Sequence, residues 1–173
     1  MIRKGEKKDI GEVAQIYKNI LSLEDKSTST GWLPNIYPTK ETAENAFKRG
    51  DLFVFEEEGQ IVASAVINTL QDQIYQEGDW SFEGEEDEIM VLHTLVVDPS
   101  VRGKGIAKKF VKYYEDYGKA MGARCLRMDT NKINVLARKM YKNLGYREAG
   151  IVSCNFNGIP NVQLVLLEKR IHR

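Results

Sequence analysis

The sequence predicts an α/β domain with a mixed central sheet of about seven strands and about four flanking helices, and three observations carry that expectation. Strand-like and helix-like periods alternate along the chain. One stretch, "IMVLHTLVV" (Ile89 to Val97), is apolar on both faces, as a central strand buried on both sides must be. Two dipeptides that favour tight hairpins, Glu58-Gly59 and Asn157-Gly158, each separate a pair of β-rich runs.

Ile2 to Lys4 is expected as a short first strand. From Asp9, placed as an N-cap, Ile10, Val13, Ile16, Tyr17, Ile20 and Leu21 recur with helical period to about Leu23. "EDKSTSTGWLPNIYPT" mixes turn formers with Trp32, Ile36 and Tyr37 and reads as a loop. Thr39 caps a second helix over "KETAENAFKR", and Gly50 suits the left-handed residue that ends it. Strands follow over Leu52 to Glu56 and Gln60 to Asn68. The polar segment "QDQIYQEGDWSFEGEEDE", with Tyr75, Trp80 and Phe82, is either a solvated linker or a substrate-facing loop. Pro99 stops the central strand. A helix from about Gly105 to Met121 puts Ile106, Phe110, Tyr113, Tyr117 and Ala120 on one side and closes at Gly122. "RCLRMDT" is a strand, "NVLARKMYKNLG" a helix ended by Gly145, and "YREAGIVSC" and "NVQLVLLEKRI" are the last two strands.

At 173 residues the whole chain, 1–173, is expected to be one domain. Twenty-five basic and 25 acidic residues cancel. That balance removes any whole-molecule argument for nucleic acid or an anionic membrane as partner, and neither is expected. Cys125 and Cys154 lie in separate apolar segments without C-x-x-C spacing or a neighbouring histidine, so buried structural thiols are expected and no metal. No segment approaches the ~20 apolar residues a bilayer span needs, and a cytoplasmic location is expected.

The end of the central strand breaks a local rule. In "VRGKGIAKKF" the helix mouth carries Arg102, Lys104, Lys108 and Lys109, where each cation opposes the helix dipole by roughly 0.3–1 kcal/mol unless an anion offsets it. Gly103, Gly105 and Ala107 let a backbone with unpartnered N–H groups approach a ligand closely, and a phosphate is the natural occupant. A solvated basic face accounts equally well for the lysines. A Walker loop is rejected, because Gly105 and Ile106 follow Gly-Lys. A Rossmann fingerprint from Gly103 meets Lys108 where a small residue belongs, and would use Asp129 as the ribose acid.

Arg102, Gly105 and Ala107, after an apolar strand ending in Asp98-Pro99, resemble the pyrophosphate motif [QR]-x-x-G-x-[GA] of the GNAT superfamily of N-acetyltransferases. One strand later, Asn134, Ala137, Tyr141, Gly145 and Tyr146 match its second pattern, N-x-x-A-x-x-x-Y-x-x-x-G-[FY]. The resemblance covers Leu92 to Tyr146 by motif and the remainder only by element order. It implies acetyl-CoA, or a related acyl-CoA, as cosubstrate. The backbone of Leu95, Val96 and Val97 would hold the pantetheine arm, and the N–H groups of Gly103, Lys104, Gly105, Ile106 and Ala107 the pyrophosphate, with Arg102, Lys104 and Lys108 near the phosphates. Asn134 would bond the arm and Tyr141 would protonate the leaving thiolate. The plain alternatives are a helix N-cap for Asn134 and a core aromatic for Tyr141.

Acyl transfer needs a neutral amine, hence a base. His93 is the expected base: it alternates with Val91, Leu95 and Val97 and sits where some family members carry a histidine, although a hydrogen-bonded core histidine is the plain alternative. Glu88 is the second candidate, against a solvated place in the Glu85 to Glu88 acidic run. The resemblance puts acceptor walls at Trp32, Tyr37, Trp80, Phe82 and Phe156, with "GEEDE" attracting a cation, although these aromatics can equally pack down. The implied activity is acetyl transfer from acetyl-CoA to a primary amine of a small molecule or peptide by direct attack in a ternary complex. A non-catalytic acyl-CoA-binding or sensing module is the rival, a nucleotide-binding oxidoreductase a more distant one, and related proteins often form homodimers.

Overall fold

A computed structural model describes residues 1–23 and 30–172. The strands β1 (Ile2–Lys4), β2 (Leu52–Glu57), β3 (Gln60–Asn68), β4 (Ile89–Val97), β5 (Cys125–Asn131), β6 (Arg147–Phe156) and β7 (Ile159–Arg170) form one mixed sheet in the order β1-β2-β3-β4-β5-β7-β6. The helices are α1 (Ile10–Leu21), α2 (Lys40–Arg49), α3 (Ile106–Ala120) and α4 (Val135–Asn143). The chain divides into two compact units. Of the loop expected over 24–39, residues 24–29 lie outside the described residues.

The first unit takes in Met1–Leu23, Trp32–Ile67 and His93–Tyr114. Its core joins Ile10, Val13, Ile16 and Tyr17 of α1 to Ala43 and Ala46 of α2 and to Leu52, Val54, Ile61, Val66 and Val96 of the strands. The alternate residues of β2 and the 3–4 spacing of α1 each turn one apolar face to this core. Asp9 does not cap α1 as expected. Its backbone is already helical, and its carboxylate turns back to accept from Arg3 at 2.7 Å and from the Glu6 N–H at 2.7 Å. Thr39 does begin α2: its N–H donates to Thr42 Oγ1 at 3.0 Å, and Gly50 closes the helix at φ 79°. The β2–β3 hairpin turns on Glu58 (φ 51°) and Gly59 (φ 78°), the double left-handed turn that matches strand twist.

The second unit takes in Asn68–Leu92 and the chain from Glu115 onward. Here β4 pairs in parallel with β5, from Ile89↔Cys125 to Leu92↔Met128, and β7 returns antiparallel to β5 before pairing with β6. The hairpin turn is Asn157-Gly158, and the strands reach further into it than the sequence suggests, to Phe156 and from Ile159.

The buried side of α3 is Ile106, Phe110, Val111, Tyr114 and Gly118, rather than the line through Tyr113, Tyr117 and Ala120. An i, i+4 progression from Ile106 runs through Phe110 and Tyr114 to Gly118. Gly118 is small for a reason: a Cβ there would meet Leu126 Cδ2 at 2.9 Å.

The segment between β3 and β4 is not a solvated linker. Tyr75 and Phe82 are buried. Ser81 N–H donates to Glu168 Oε1 at 2.6 Å, and Arg127 donates to Gln71 Oε1 and to the Phe82 carbonyl, each at 2.6 Å. The Arg127 guanidinium lies 4.0 Å from the Trp80 ring centroid. Glu168 is buried, which raises its pKa, but donors from Ser81 and Arg147 outweigh burial and hold it below the usual carboxylate range. Trp80 and Phe82, expected as acceptor walls, are thus packed down onto β5 and β7.

Candidate active site

The first unit supplies a helix mouth. Asp98, just past β4, accepts from Asn19 Nδ2 at 2.8 Å and from Ser100 N–H at 2.8 Å, and its own N–H donates to the Val62 carbonyl at 2.8 Å. The strand end is therefore fixed where the loop begins. Pro99–Val101 makes one 3-10 turn, and Gly103 (φ 79°) and Gly105 (φ 72°) follow, both left-handed. A Cβ built on either glycine would meet nothing within 4 Å, so the loop faces open space that a ligand can enter. Lys109 N–H donates to the Gly105 carbonyl at 3.0 Å, which makes Gly105 the residue before the helix and Ile106, Ala107 and Lys108 the first turn. Arg102, Lys104, Lys108 and Lys109 are exposed around it. The arrangement fits a pyrophosphate: backbone donors, a positive helix end and four exposed cations around it.

His93 is half-buried on β4, as are Leu95 and Val97, whereas Val96 is buried. Thr94 interrupts the strand with φ 49°, so the alternation expected to align His93 with Leu95 and Val97 stops there. The sequence offers no sign of this, because a β-branched residue is a poor choice for that conformation. The Thr94 hydroxyl is hydrogen-bonded to the Tyr37 hydroxyl, and Tyr37 packs edge-on to Trp32 at 6.0 Å between ring centroids.

The second unit supplies Asn134 and Tyr141. Asn134 is the N-cap of α4: its Oδ1 accepts from Ala137 N–H at 3.3 Å. Its side-chain NH2 is a separate donor, so capping and a bond to a ligand are compatible. Tyr141 is 6% exposed. Gly145 at φ 89° ends the helix, and Tyr146 folds back so that its N–H donates to the Tyr141 carbonyl at 3.0 Å and its ring meets Tyr141 edge-on at 5.9 Å. Burial, and secondly the charge of Asp129, push the Tyr141 phenol far above its ordinary pKa. It keeps its proton throughout the neutral range.

Asp129, on β5, enters the sequence reading only as the ribose acid of a Rossmann fingerprint, not as a candidate base. Tyr75 OH donates to its Oδ2 at 2.7 Å. Burial, with Asp72 adding to it, outweighs that bond and raises the carboxyl to about 6. Glu88 has both oxygens engaged: Oε1 accepts from Arg124 at 3.0 Å and Oε2 from Glu85 N–H at 3.0 Å. Phe156 is half-buried at the end of β6. Cys125 is buried, with its thiol raised to about 11 by burial, and Cys154 is half-buried. Among the described residues no cluster could hold a metal ion, and no helix is long and apolar enough to cross a membrane.

A family model, that of the acetyltransferase (GNAT) family, matches residues 17–146. The chain belongs to the GNAT family. With a GNAT acetyltransferase from Streptococcus agalactiae it superposes at TM-score 0.84 over 100% of this chain and 96% of that one, at 21% identity. A candidate acetyltransferase from Salmonella typhimurium, solved with its cofactor acetyl-CoA, gives TM-score 0.70 and 16% identity over 100% of this chain and 94% of that one. These two likenesses carry the GNAT fold. The N-acetylaspartate synthetase of Xenopus tropicalis is 30% identical over 94 residues, which is 51% of this chain and 34% of the relative. This GNAT chain thus spans about a third of the length of that relative.

Proposed function

We propose that the chain transfers an acetyl group from acetyl-CoA to a primary amine of a small molecule or peptide, by direct attack with both substrates bound. The observation that carries this is Tyr141: a buried phenol that keeps its proton, within the Asn134 to Tyr146 stretch that resembles the family's second pattern. The name of the Xenopus relative, an enzyme of N-acetylaspartate formation, supports a small amine acceptor. Acetyl-CoA, when bound, supplies a thioester whose carbonyl carbon takes the amine and whose carbon–sulfur bond breaks. The first-turn N–H groups after Gly105, with Arg102, Lys104 and Lys108, would hold the pyrophosphate; the backbone of Leu95 to Val97 and the Asn134 amide would hold the pantetheine arm. Tyr141 would give its phenolic proton to the departing sulfur, and the proton that the newly acylated nitrogen sheds would restore the phenol.

The base must take a proton from the acceptor ammonium so that the neutral amine can attack. Asp129 has the support of a carboxyl at about 6, charged above that pH and basic enough to accept. His93 has the support of its place on β4. Glu88, tied to Arg124, is supported as a structural residue instead. Acetyl-CoA with a panel of amines, followed by free-thiol release and mass spectrometry of the product, tests the reading. We expect amine-dependent thiol, and a Tyr141→Phe rate about 100-fold lower with CoA affinity within about twofold of the parent. CoA binding without thiol release across the panel, with Tyr141→Phe indistinguishable from the parent, makes the chain an acyl-CoA-binding module instead.

A further inference from the structure

Thr94 sits in the interior of β4 with φ 49°. In that conformation the branched side chain crowds its own backbone, and such a residue persists only where its neighbours hold it. The first unit supplies that neighbour. The Tyr37 hydroxyl is hydrogen-bonded to Thr94 Oγ1. Tyr37 is itself fixed: its N–H donates to the Leu33 carbonyl at 3.1 Å, and its ring stands edge-on to Trp32, which packs against the core that includes Val96 of β4. A left-handed residue turns the peptide groups on its two sides out of the regular strand sequence. The direction of the N–H and C=O groups over Leu95, Val96 and Val97 therefore depends on Thr94 keeping that conformation.

We infer that Tyr37 is a positioning residue for the cosubstrate: by holding Thr94 it orients the Leu95 to Val97 backbone that receives the pantetheine arm. The inference rests on the acetyl-CoA reading, and it gives Tyr37 a task other than walling the acceptor. Its test is a cycle read by calorimetric titration of CoA itself, so that no acceptor is needed. Tyr37→Phe keeps the ring and removes the bond, and is expected to weaken CoA about fivefold. Thr94→Gly adopts the left-handed conformation unaided, and is expected to bind CoA within about twofold of the parent. Adding Tyr37→Phe to Thr94→Gly then costs nothing further, since there is no bond left to lose. If the glycine variant does not fold, Thr94→Val replaces it: it too lacks the hydroxyl, so it should weaken CoA as Tyr37→Phe does, and adding Tyr37→Phe should again cost nothing further.

An equal loss from Tyr37→Phe in both backgrounds overturns the inference, because Tyr37 then acts other than through Thr94. So does a Tyr37→Phe protein that melts lower yet binds CoA like the parent, which makes the contact structural only. A parent protein that binds no CoA removes the acetyl-CoA reading itself, a result separate from either of these.

Discussion

By the proposed reading, Asp129 sets stability against chemistry at a single carboxyl. Its pKa is raised from 3.8 to about 6, so between those values the folded protein holds a proton that the unfolded chain has released. Stability from this group is therefore greatest at low pH, declines as pH rises through that window, and carries the whole penalty above about 6. At 1.36 kcal/mol per pH unit the penalty at neutral pH is at most about 3 kcal/mol. Asp129→Asn keeps an oxygen for Tyr75 and removes the charge. We expect it to gain about 1–3 kcal/mol in urea unfolding at pH 7.5, a gain that fades toward pH 4, while acetyl transfer falls at least about 100-fold. In the parent, log kcat/KM plotted against pH should fall below about 6, and that limb should vanish in the variant. A variant that is less stable at pH 7.5, or that acetylates at the parent rate, removes Asp129 as the base and leaves His93. The sequence shows Asp129 only as an acid at the end of a strand, because Tyr75, which bonds it, and Asp72, which adds to its shift, lie more than 50 residues away in the chain.

Among the elements, α4 does two jobs with one residue. Asn134 closes the open end of the helix through its oxygen, and by the proposed reading it offers its nitrogen to the pantetheine arm. Substitution separates the two. Asn134→Ala should lose about 1 kcal/mol of stability and also weaken CoA. Asn134→Asp retains a capping oxygen, and its charge suits the helix N-terminus, so stability should return to the parent value. CoA affinity should stay low, by about fivefold, because no side-chain N–H is left to donate. Thermal melts and CoA titration of the three proteins decide it; full CoA affinity in Asn134→Asp leaves the residue as a cap alone. Elements of this kind are legible because their signals are local. Thr39 before α2, Gly50 after it, and the two hairpin dipeptides each act within four residues, and each lies where the pattern puts it. The residues that escaped include those fixed from afar: Thr94 by Tyr37, and Trp80 and Phe82 by the arginines of β5 and β7.

For the whole molecule, the number and order of elements follow from periodicity, but the β5-β7-β6 order does not, since it rests on pairings such as Cys125↔Arg170 that no local pattern encodes. Charge shows the same contrast between local and global. The formal net charge is zero, so the chain as a whole gives an anion no long-range pull. The proposed cosubstrate is nevertheless polyanionic, and the exposed cations at the mouth of α3 must supply its attraction locally. Local attraction of exposed charges is screened: the Debye length shrinks from about 14 Å to about 4 Å between about 50 mM and about 500 mM salt. CoA affinity should therefore fall by about tenfold over that range. Pantetheine, which has the same arm without phosphates, should bind more weakly but with an affinity that salt leaves within about twofold. Lys104→Gln with Lys108→Gln should flatten the CoA response toward that of pantetheine. Equal salt dependence for CoA and pantetheine would place the recognition in the arm and make the basic helix mouth a solvated face, the reading that the lysines alone equally allow.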